Sequence, residues 1–404
     1  MWLKRHRWLL LILLVSLGFR AVIGADRDRW PLTADEADWE RQGLIYATHG
    51  LGVEDLATYK APLYPLLISV AYRCFGTETV YVRHFQALLF LVTTVSVYAL
   101  STRLVDRRTP ITAACVASIY PLWAMVNTSV VPGTLLTCLA VVCSLQAVRI
   151  VERPSLPGFL LLGLLLGAAI LCDPVLALWV PVVVLLVTWH TSMDPARVQM
   201  NRLAAVVAGL LLVIAPWTIR NEAVTGHRLF WPPTLGRSLL IGHEPRARGS
   251  MDSRRDYVSM YERMGIEATD QVEKDRLVFR TVTGWIVDDP GRALVLAARK
   301  VWVLWNSVLR DAPRRTTVIH FLSGSAIAVF GLVGVYRQRR HLIGKVAGSV
   351  VLVWTLYCAV FYASPAMRLP IDLCLLPLAA MTGLRFFDWV KQAVIGRFRE
   401  LEAA

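Results

Sequence analysis

Long apolar runs separated by short polar segments recur along the whole of this 404-residue chain. Each is long enough, as a helix, to cross the roughly 30 Å hydrocarbon core of a bilayer. Inside a bilayer the backbone must satisfy its own hydrogen bonds, so such runs form helices. The pattern predicts an all-α polytopic membrane protein of about ten transmembrane helices with two long non-cytoplasmic loops. The spans are expected near residues 8–24, 82–104, 111–127, 131–149, 157–173, 175–190, 203–219, 316–336, 342–362 and 370–388.

The first apolar run has the charge pattern of a signal peptide, because Lys4, Arg5 and Arg7 precede the stretch from Trp8 to Ile23. A cleaved signal ends in a small-residue motif of the Ala-x-Ala kind. The chain continues instead as Gly-Ala-Asp-Arg from residue 24. We therefore expect an uncleaved first span.

Basic residues divide the short loops into two kinds. The loops on one side carry several, at positions 107, 108, 149, 153, 197, 202, 337, 339 and 340. The short loops on the other side, near 127–131, 174 and 363–369, hold a single basic residue, Arg368. Positive residues favour the cytoplasmic side. Both termini are therefore predicted to be cytoplasmic, in a multi-pass protein of the cell (inner or plasma) membrane.

Two long loops, about 25–81 and 220–315, are then expected outside. In the first, Thr33 and Glu36 form a capping box that starts a helix ending at Gly50. A second apolar segment, Pro62 to Phe75, is too short to span and should lie at the interface. The chain thus divides into a membrane module at 1–219, an outer region at 220–315, and C-terminal spans with a tail at 316–404.

The late outer loop is predicted to contain two polar helices, around Ser253–Met264 and Thr269–Val287. Asp289 and Pro290 then supply an N-cap and a proline at the first helical position. The amphipathic helix that follows, through Trp302, is expected to lead back to the membrane, since tryptophan favours the interface.

Composition supports membrane insertion and argues against other classes. The chain is 56% hydrophobic, with a mean hydropathy of +0.51. Its net charge of +14 would suit a nucleic-acid binder, but much of the excess lies in short clusters beside the spans, where it sets topology. No nucleic-acid partner is expected. The seven cysteines are scattered, mostly within apolar runs, and indicate packing residues.

Four short motifs follow one another along the chain. They are Thr33-Ala-Asp35-Glu36-Ala-Asp38-Trp39, Tyr59-Lys60-Ala-Pro62-Leu63-Tyr64-Pro65, Ala215-Pro216-Trp217-Thr218-Ile219-Arg220-Asn221 and Met367-Arg368-Leu369-Pro370. With its motifs in this order, the sequence resembles the C-type (GT-C) glycosyltransferases of the family-39-like group. The resemblance extends to span order and loop placement over nearly the whole chain. That group includes the protein O-mannosyltransferases and the lipid A aminoarabinose transferase. The Pro-Trp-Thr-Ile-Arg-Asn string is the most specific of these pieces.

The resemblance implies hexosyl or pentosyl transfer on the outer face of the membrane, from a polyprenyl-phosphate sugar donor to a lipid, glycan or protein acceptor. In that family an acidic residue of the first outer loop lies at the reaction centre, and Asp35 matches it. An acceptor hydroxyl that attacks the anomeric carbon needs its proton accepted by a carboxylate. Asp35 and Glu36 are therefore the candidate catalytic residues, with Asp38 as a fallback.

A structural explanation of the same acidic residues stays open. Acidic side chains are favoured in the first turn of a helix by the capping box and by the helix dipole. Asp35 and Glu36 could serve only this helix start, and Glu36, three residues after Thr33, fits the capping role directly.

Four further residues are candidates for substrate binding: Lys60, Arg368, Arg220 and Asp173. Related enzymes place a basic residue against the lipid phosphate where Lys60 lies, although snorkelling towards headgroups explains a lysine there equally well. Arg368 breaks the charge asymmetry, which indicates a bound anion, and phosphate is favoured. Arg220 could bind phosphate or hold its loop to a helix end. Asp173, at membrane depth, is costly without a role or a partner.

Two positions depart from the pattern of the family. Many relatives have a basic residue where Asp173 precedes Pro174, and they commonly have an acidic residue where this chain has Val131-Pro132-Gly133-Thr134. These changes leave the acceptor and sugar specificity open and allow a divergent or non-catalytic member.

The late outer loop offers no metal site by spacing. His227, His243 and Glu244 do not match a known ligand pattern and are expected to be solvated loop residues. No metal ligand is predicted, and a requirement for a cofactor, including a divalent metal, stays open.

Two other functions compete with sugar transfer. A transporter or flippase for a lipid-linked or small polar substrate commonly has inverted repeats and polar residues near midplane. Here nearly all ionisable residues lie at span ends, and the outer loops are long while the inner ones are short. This distribution favours outward-facing chemistry. A non-catalytic protein with the family's fold is the remaining alternative.

Overall fold

A computed structural model describes residues 2–27, 31–52, 60–230, 232–248, 260–261, 264–266, 270–306 and 314–403. The first ten helices are α1 (Trp2–Arg27), α2 (Ala34–His49), α3 (Leu63–Phe75), α4 (Thr79–Ser101), α5 (Thr109–Ile119), α6 (Pro121–Thr128), α7 (Gly133–Glu152), α8 (Leu156–Cys172), α9 (Pro174–His190) and α10 (Ala196–Thr225). Then follow α11 (Leu235–His243), α12 (Gln271–Asp288), α13 (Pro290–Asn306), α14 (Arg314–Arg337), α15 (Leu342–Val360), a 3-10 turn (Pro365–Arg368) and α16 (Leu369–Ala403).

Each of the ten predicted spans falls on helical structure. Seven helices in the described ranges are long and apolar enough to cross a membrane. The predicted span 111–127 is a pair, α5 and α6, bent by 51°. Pro121 causes the bend, because proline lacks an N–H and pushes the preceding residue, Tyr120, into an extended conformation. The apolar helices α8 and α9 are shorter, at 17 residues each. The predicted class, an all-α multi-pass membrane protein, is confirmed.

Helices α7 and α16 form the centre of the bundle, since 83% of the residues in the apolar segment of each are buried. In the apolar segment of α1, only 17% of the residues are buried. Helices α8 and α10 pack closely through glycines. A Cβ at Gly163 would lie 2.1 Å from the Val206 carbonyl oxygen, and one at Gly209 would lie 2.4 Å from that of Leu160. Only glycine allows this backbone approach, which is a common basis of helix association in membranes.

The outer segments follow the predicted local signals. The Thr33 hydroxyl accepts from the Glu36 backbone N–H, and the Glu36 carboxylate accepts from that of Thr33, so the capping box is confirmed. Asp289 accepts a hydrogen bond of 2.9 Å from the Arg292 backbone N–H and caps α13 as predicted. Helix α12 matches the predicted polar helix 269–287. Most of the predicted helix Ser253–Met264, and Tyr59 of the second motif, lie outside the described residues.

Polar contacts join the short basic loops at one end of the bundle, opposite the long loops. Arg103 pairs with Glu152 at 3.1 Å, and Arg108 pairs with Asp388. These contacts bring the ends of α4 and α7 together and join the start of α5 to α16. The two kinds of loop identified by charge therefore lie at opposite ends of the molecule.

Candidate functional site

At the acidic start of α2, two neighbouring carboxylates, Asp35 and Glu36, differ in exposure. The side chain of Asp35 is 56% exposed, whereas that of Glu36 is 2% exposed. The two residues are adjacent in the first turn, so they point in different directions around the helix axis. Asp35 therefore faces open space, and Glu36 faces the protein.

Glu36 is held by protein partners on both of its oxygens. Oε2 accepts from the Arg27 guanidinium and from the Thr33 backbone N–H and hydroxyl. Oε1 accepts from the Val130 backbone N–H at 3.1 Å. Glu36 thus ties the end of α1, the start of α2 and the loop before α7 together. These contacts explain its burial and favour a structural role over the catalytic one considered from sequence.

Lys60 lies beside the exposed carboxylate. Its Nζ is 2.8 Å from Asp38 Oδ2 and 3.7 Å from Asp35 Oδ1. The ammonium also lies 3.9 Å from the centre of the Trp39 ring, a favourable cation–π contact. Trp39 in turn packs edge-on against buried Tyr64 at 5.7 Å. The first two motifs therefore meet in space, and α3 presents Lys60 to the acidic start of α2.

Burial and ion pairing shift the pKa values of this group in defined directions. Burial lowers the pKa of Lys60, and the neighbouring carboxylates only partly oppose this. Burial alone would raise the pKa of Asp38, but Lys60 and Arg41 outweigh it and hold that pKa below its usual value. The Lys60 ammonium is thus held between the Asp38 carboxylate and the Trp39 ring, beside the exposed carboxylate of Asp35.

Asp173 and Tyr362 approach the same region from distant parts of the chain. Asp173 caps α9, where its Oδ1 accepts from the Val175 backbone N–H at 2.9 Å. The carboxylates of Asp173 and Asp35 both lie within electrostatic range of the Tyr362 hydroxyl.

Tyr362 was not singled out from the sequence. The available signal was its position, in the short outer loop just before the Met367-Arg368 motif. A polar aromatic side chain at the outer end of a span can equally be an interfacial anchor. Only the packing of α15 beside α9 brings it towards Asp173.

The lack of an acidic residue at Gly133, where relatives commonly have one in this segment, has a local steric reason. Helix α7 begins at this residue, and a Cβ there would lie 2.8 Å from Val126 Cγ1. An acidic side chain at Gly133 would force a shift of the α6 end or of the loop that carries Val130. That loop is the one bound by Glu36.

Arg220 joins the first outer loop to the end of α10. Its Nε donates to the Leu51 carbonyl at 2.6 Å, and its guanidinium lies 4.9 Å from the Trp217 ring centre. Of the two explanations given for this residue, the contacts favour the structural one. Asn221 extends the same connection, since its side-chain N–H donates to the Leu229 carbonyl at 3.1 Å.

Arg368 lies inside the protein, with 0% of its side chain exposed. Its Nε donates to Asp372 Oδ1 at 2.9 Å. Its terminal nitrogens donate to the carbonyls of Trp305, at 2.8 Å, and of Gly324. The second oxygen of Asp372 accepts from the Tyr120 hydroxyl at 2.6 Å. These contacts join four segments and favour a structural role, so the predicted phosphate contact has no support in this geometry.

The late outer loop corrects another expectation. His243 and Glu244 were predicted to be solvated, but they are 4% and 1% exposed. Gly242 explains this burial, because its missing side chain lets α11 contact Phe361; a Cβ there would overlap the Phe361 carbonyl oxygen, 1.6 Å away. His227 keeps a partly exposed position, with its Nε2 3.2 Å from Asp270.

Lys300 is fully buried beside His243 and was missed by sequence reasoning. Its Nζ lies 2.8 Å from His243 Nε2 and donates to the Val360 carbonyl at 2.9 Å. Burial lowers the pKa of Lys300 to about 7, and burial together with the Lys300 charge lowers that of His243. This contact joins α11 and α13 to Val360, the last residue of α15, which lies two residues before Tyr362.

We expect the buried Lys300 to give folding stability a defined pH dependence. Its pKa falls from 10.5 to about 7 on folding, so the folded state binds fewer protons than the unfolded chain between these values. Stability should therefore rise as pH increases from 7 towards 10. Melting temperatures measured across this window should rise less in Lys300→Met than in the unchanged protein. Equal slopes would show that Lys300 does not titrate in the buried site.

The described residues contain no group of three or more His, Cys, Asp or Glu side chains placed to hold a metal ion. The carboxylates near Lys60 are engaged by that cation. We therefore assign no metal ligand to the site.

Comparisons with known proteins agree with this architecture. Residues 59–219 match the family described as dolichyl-phosphate-mannose-protein mannosyltransferase. The Archaeoglobus fulgidus oligosaccharyltransferase in its apo form is 15% identical, with a TM-score of 0.58, over 97% of this chain and 52% of that one. AglB from the same organism, in complex with an inhibitory peptide and a dolichol-phosphate, is 14% identical with a TM-score of 0.52 and the same coverage.

ArnT from Cupriavidus metallidurans, bound to undecaprenyl phosphate, is 16% identical over 93% of this chain and 78% of that one, with a TM-score of 0.45. A comparison with curated proteins finds no match. The chain spans about half the length of the oligosaccharyltransferase it matches. The chain has the fold of the C-type glycosyltransferases. Residues 59–219 of this membrane protein are similar to the dolichyl-phosphate-mannose-protein mannosyltransferase family.

Proposed function

We propose that the protein is a membrane glycosyltransferase that moves a hexosyl or pentosyl group from a polyprenyl-phosphate donor to an acceptor. The reaction would take place at the end of the bundle that carries the two long loops, outside the cytoplasm. The observation that carries this proposal is the exposed Asp35 carboxylate 3.7 Å from the Lys60 ammonium. The AglB neighbour, which was solved with a dolichol-phosphate, supports a lipid-phosphate donor.

The proposed chemistry requires one base and one cation. The acceptor hydroxyl oxygen attacks the anomeric carbon and gives its proton to the Asp35 carboxylate. The bond between that carbon and the phosphate oxygen breaks, and the polyprenyl phosphate leaves as an anion. Because this anion is already stable, the leaving group needs cationic support and no separate acid. Lys60 would supply that support from within reach of Asp35.

Asp38 and Trp39 would hold Lys60 in place, through the ion pair and the cation–π contact described above. Asp173 lies within electrostatic range of Tyr362. A carboxylate accepts hydrogen bonds, and a phenol can both donate and accept them. We propose that Asp173 and Tyr362 contact sugar hydroxyls. This role would account for an aspartate at position 173, where many relatives have a basic residue.

The purified protein tests this function directly. It would be incubated with a panel of polyprenyl-phosphate sugars, with release of polyprenyl phosphate as the measurement. Release that depends on acceptor supports transfer. A transporter or flippase would instead move the intact donor between the leaflets of vesicles without cleaving it. Absence of cleavage across the panel, with donor still bound, would favour the non-catalytic alternative.

Lys60→Ala should raise KM for the donor about tenfold or more and change kcat less, because a charge-assisted contact to phosphate is lost. Lys60→Arg should restore part of the affinity. Lys345→Ala is the matched control, since this lysine lies at the opposite end of the bundle, 3.3 Å from His190 Nε2. Equal donor affinity in the Lys60→Ala and unchanged proteins would indicate that this lysine only orders the start of α2.

A further inference from the structure

A polar cavity of about 450 Å³ lies among the ends of α4, α7 and α8. Arg103, Arg149 and Arg153 line it, with Glu152 as the one acidic side chain in the lining. These residues belong to the short basic loops, so the cavity lies at the opposite end of the bundle from Asp35. It takes no part in the proposed transfer reaction.

The charge of the cavity is only partly balanced. Arg103 pairs with Glu152 at 3.1 Å and also donates to the Ala99 carbonyl. Arg149 and Arg153 have no side-chain partner among the residues that the structure describes. Two positive charges therefore remain in the lining. Guanidinium groups are well suited to the two-point recognition of phosphate oxygens.

The start of α8 adds a second attraction for an anion. Ser155 caps this helix by accepting from the Gly158 backbone N–H at 3.3 Å, and Gln146 donates to the Gly158 carbonyl at 2.9 Å. These bonds fix the helix start against α7, with Ser155 and Gly158 in the cavity lining. The positive end of the helix dipole therefore lies beside the two arginines.

The position of the cavity favours a lipid over a soluble anion. It lies at the last turn of the α7 span, and the end of a transmembrane helix meets the headgroup region of the bilayer. Val105 and Leu156, close in sequence to lining residues, are 88% and 53% exposed, so apolar side chains are available to acyl chains at this end of the bundle. Arginines that only set topology need no concave site, and basic pockets between spans are known to receive anionic headgroups.

We propose that this cavity binds the phosphate headgroup of an anionic phospholipid, such as phosphatidylglycerol, from the leaflet at this end of the bundle. A phosphoglycerol headgroup would place its phosphate between Arg149 and Arg153. Arg103 would stay with Glu152. The site is separate from the lipid-phosphate donor site, so its occupancy does not depend on the transfer activity.

Native mass spectrometry of the purified full-length protein in detergent, titrated with phosphatidylglycerol or phosphatidylcholine, tests the proposal. The unchanged protein should retain phosphatidylglycerol preferentially. The Arg149→Gln, Arg153→Gln double variant should weaken that retention about tenfold or more. The matched control is Arg339→Gln, Arg340→Gln, which removes two charges from another of the short basic loops and should leave retention unchanged.

A second variant keeps the test informative if the double variant folds poorly. Glu152→Gln removes the single carboxylate and frees Arg103, so it should strengthen phosphatidylglycerol retention. Equal weakening in the two double variants, or no change in Glu152→Gln, would overturn the site. Binding of inorganic phosphate at the same arginines without preference for either lipid would also overturn it, because the ligand would then be a soluble phosphate.

Discussion

Replacing Asp35 with asparagine should lower sugar transfer by about 100-fold or more, the effect expected when a general base is removed. Asparagine keeps the size of the side chain and removes its charge. Asp35 is more than half exposed, and Lys60 is its ion-pair partner among the described residues. The change at the helix start should therefore cost only about 0.3–1 kcal/mol. Initial rates and melting temperatures of the same preparation would show whether activity falls while folding persists.

Glu36→Gln should give the opposite pattern. This carboxylate is buried and bound to Arg27, Thr33 and the Val130 backbone N–H. Loss of its charge weakens the ion pair with Arg27, so melting temperature should fall, and activity should fall only as far as folding does. If Asp35→Asn kept near-normal turnover while Asp38→Asn abolished it, the base would be Asp38. Normal turnover in all three variants would direct attention to Asp173.

Arg368→Ala should prevent accumulation of folded protein. The substitution leaves Asp372 buried at 0% exposure without its cation. Removing one partner of a buried ion pair typically costs about 3–5 kcal/mol, and the carbonyls of Trp305 and Gly324 would also lose their donors. The yield of monodisperse protein after detergent extraction, together with its melting temperature, measures the effect.

The double variant Arg368→Met, Asp372→Leu separates packing from phosphate binding. It removes both charges and keeps apolar volume, so it should recover much of the stability lost in Arg368→Ala. If Arg368 serves packing alone, the folded double variant should also bind donor normally. A stable double variant that no longer binds donor would restore the phosphate role predicted from sequence.

The two buried lysines of the outer segments differ in their neighbours. Lys60, with a side chain 8% exposed, lies 3.7 Å from the exposed carboxylate of Asp35. Lys300 is enclosed between α11 and α15, with His243 and a carbonyl as its contacts. Lys60 therefore borders the open acidic site, whereas Lys300 fixes the segment that carries Tyr362.

Local signals were sufficient for the helices and their caps. Apolar runs predicted helices at all ten positions, since a chain segment in a bilayer must satisfy its own backbone, and seven of the helices described are long and apolar enough to span. The Thr33–Glu36 capping box and the Asp289 N-cap act over three residues, so their sequence spacing predicted their geometry. The different surroundings of Asp35 and Glu36 also follow partly from this box, because the cap turns Glu36 back towards Thr33.

Pairing between distant segments could be decided only by the tertiary structure. Charge asymmetry marked Arg368 as unusual, but its contacts with the Trp305 and Gly324 carbonyls come from distant segments. His243 is polar in sequence, and its burial depends on how closely α11 approaches α15 at Gly242. The sequence by itself therefore determined the helices and their caps. Burial and ion pairing depend on which helices pack together, and no pattern within a single segment carries that information.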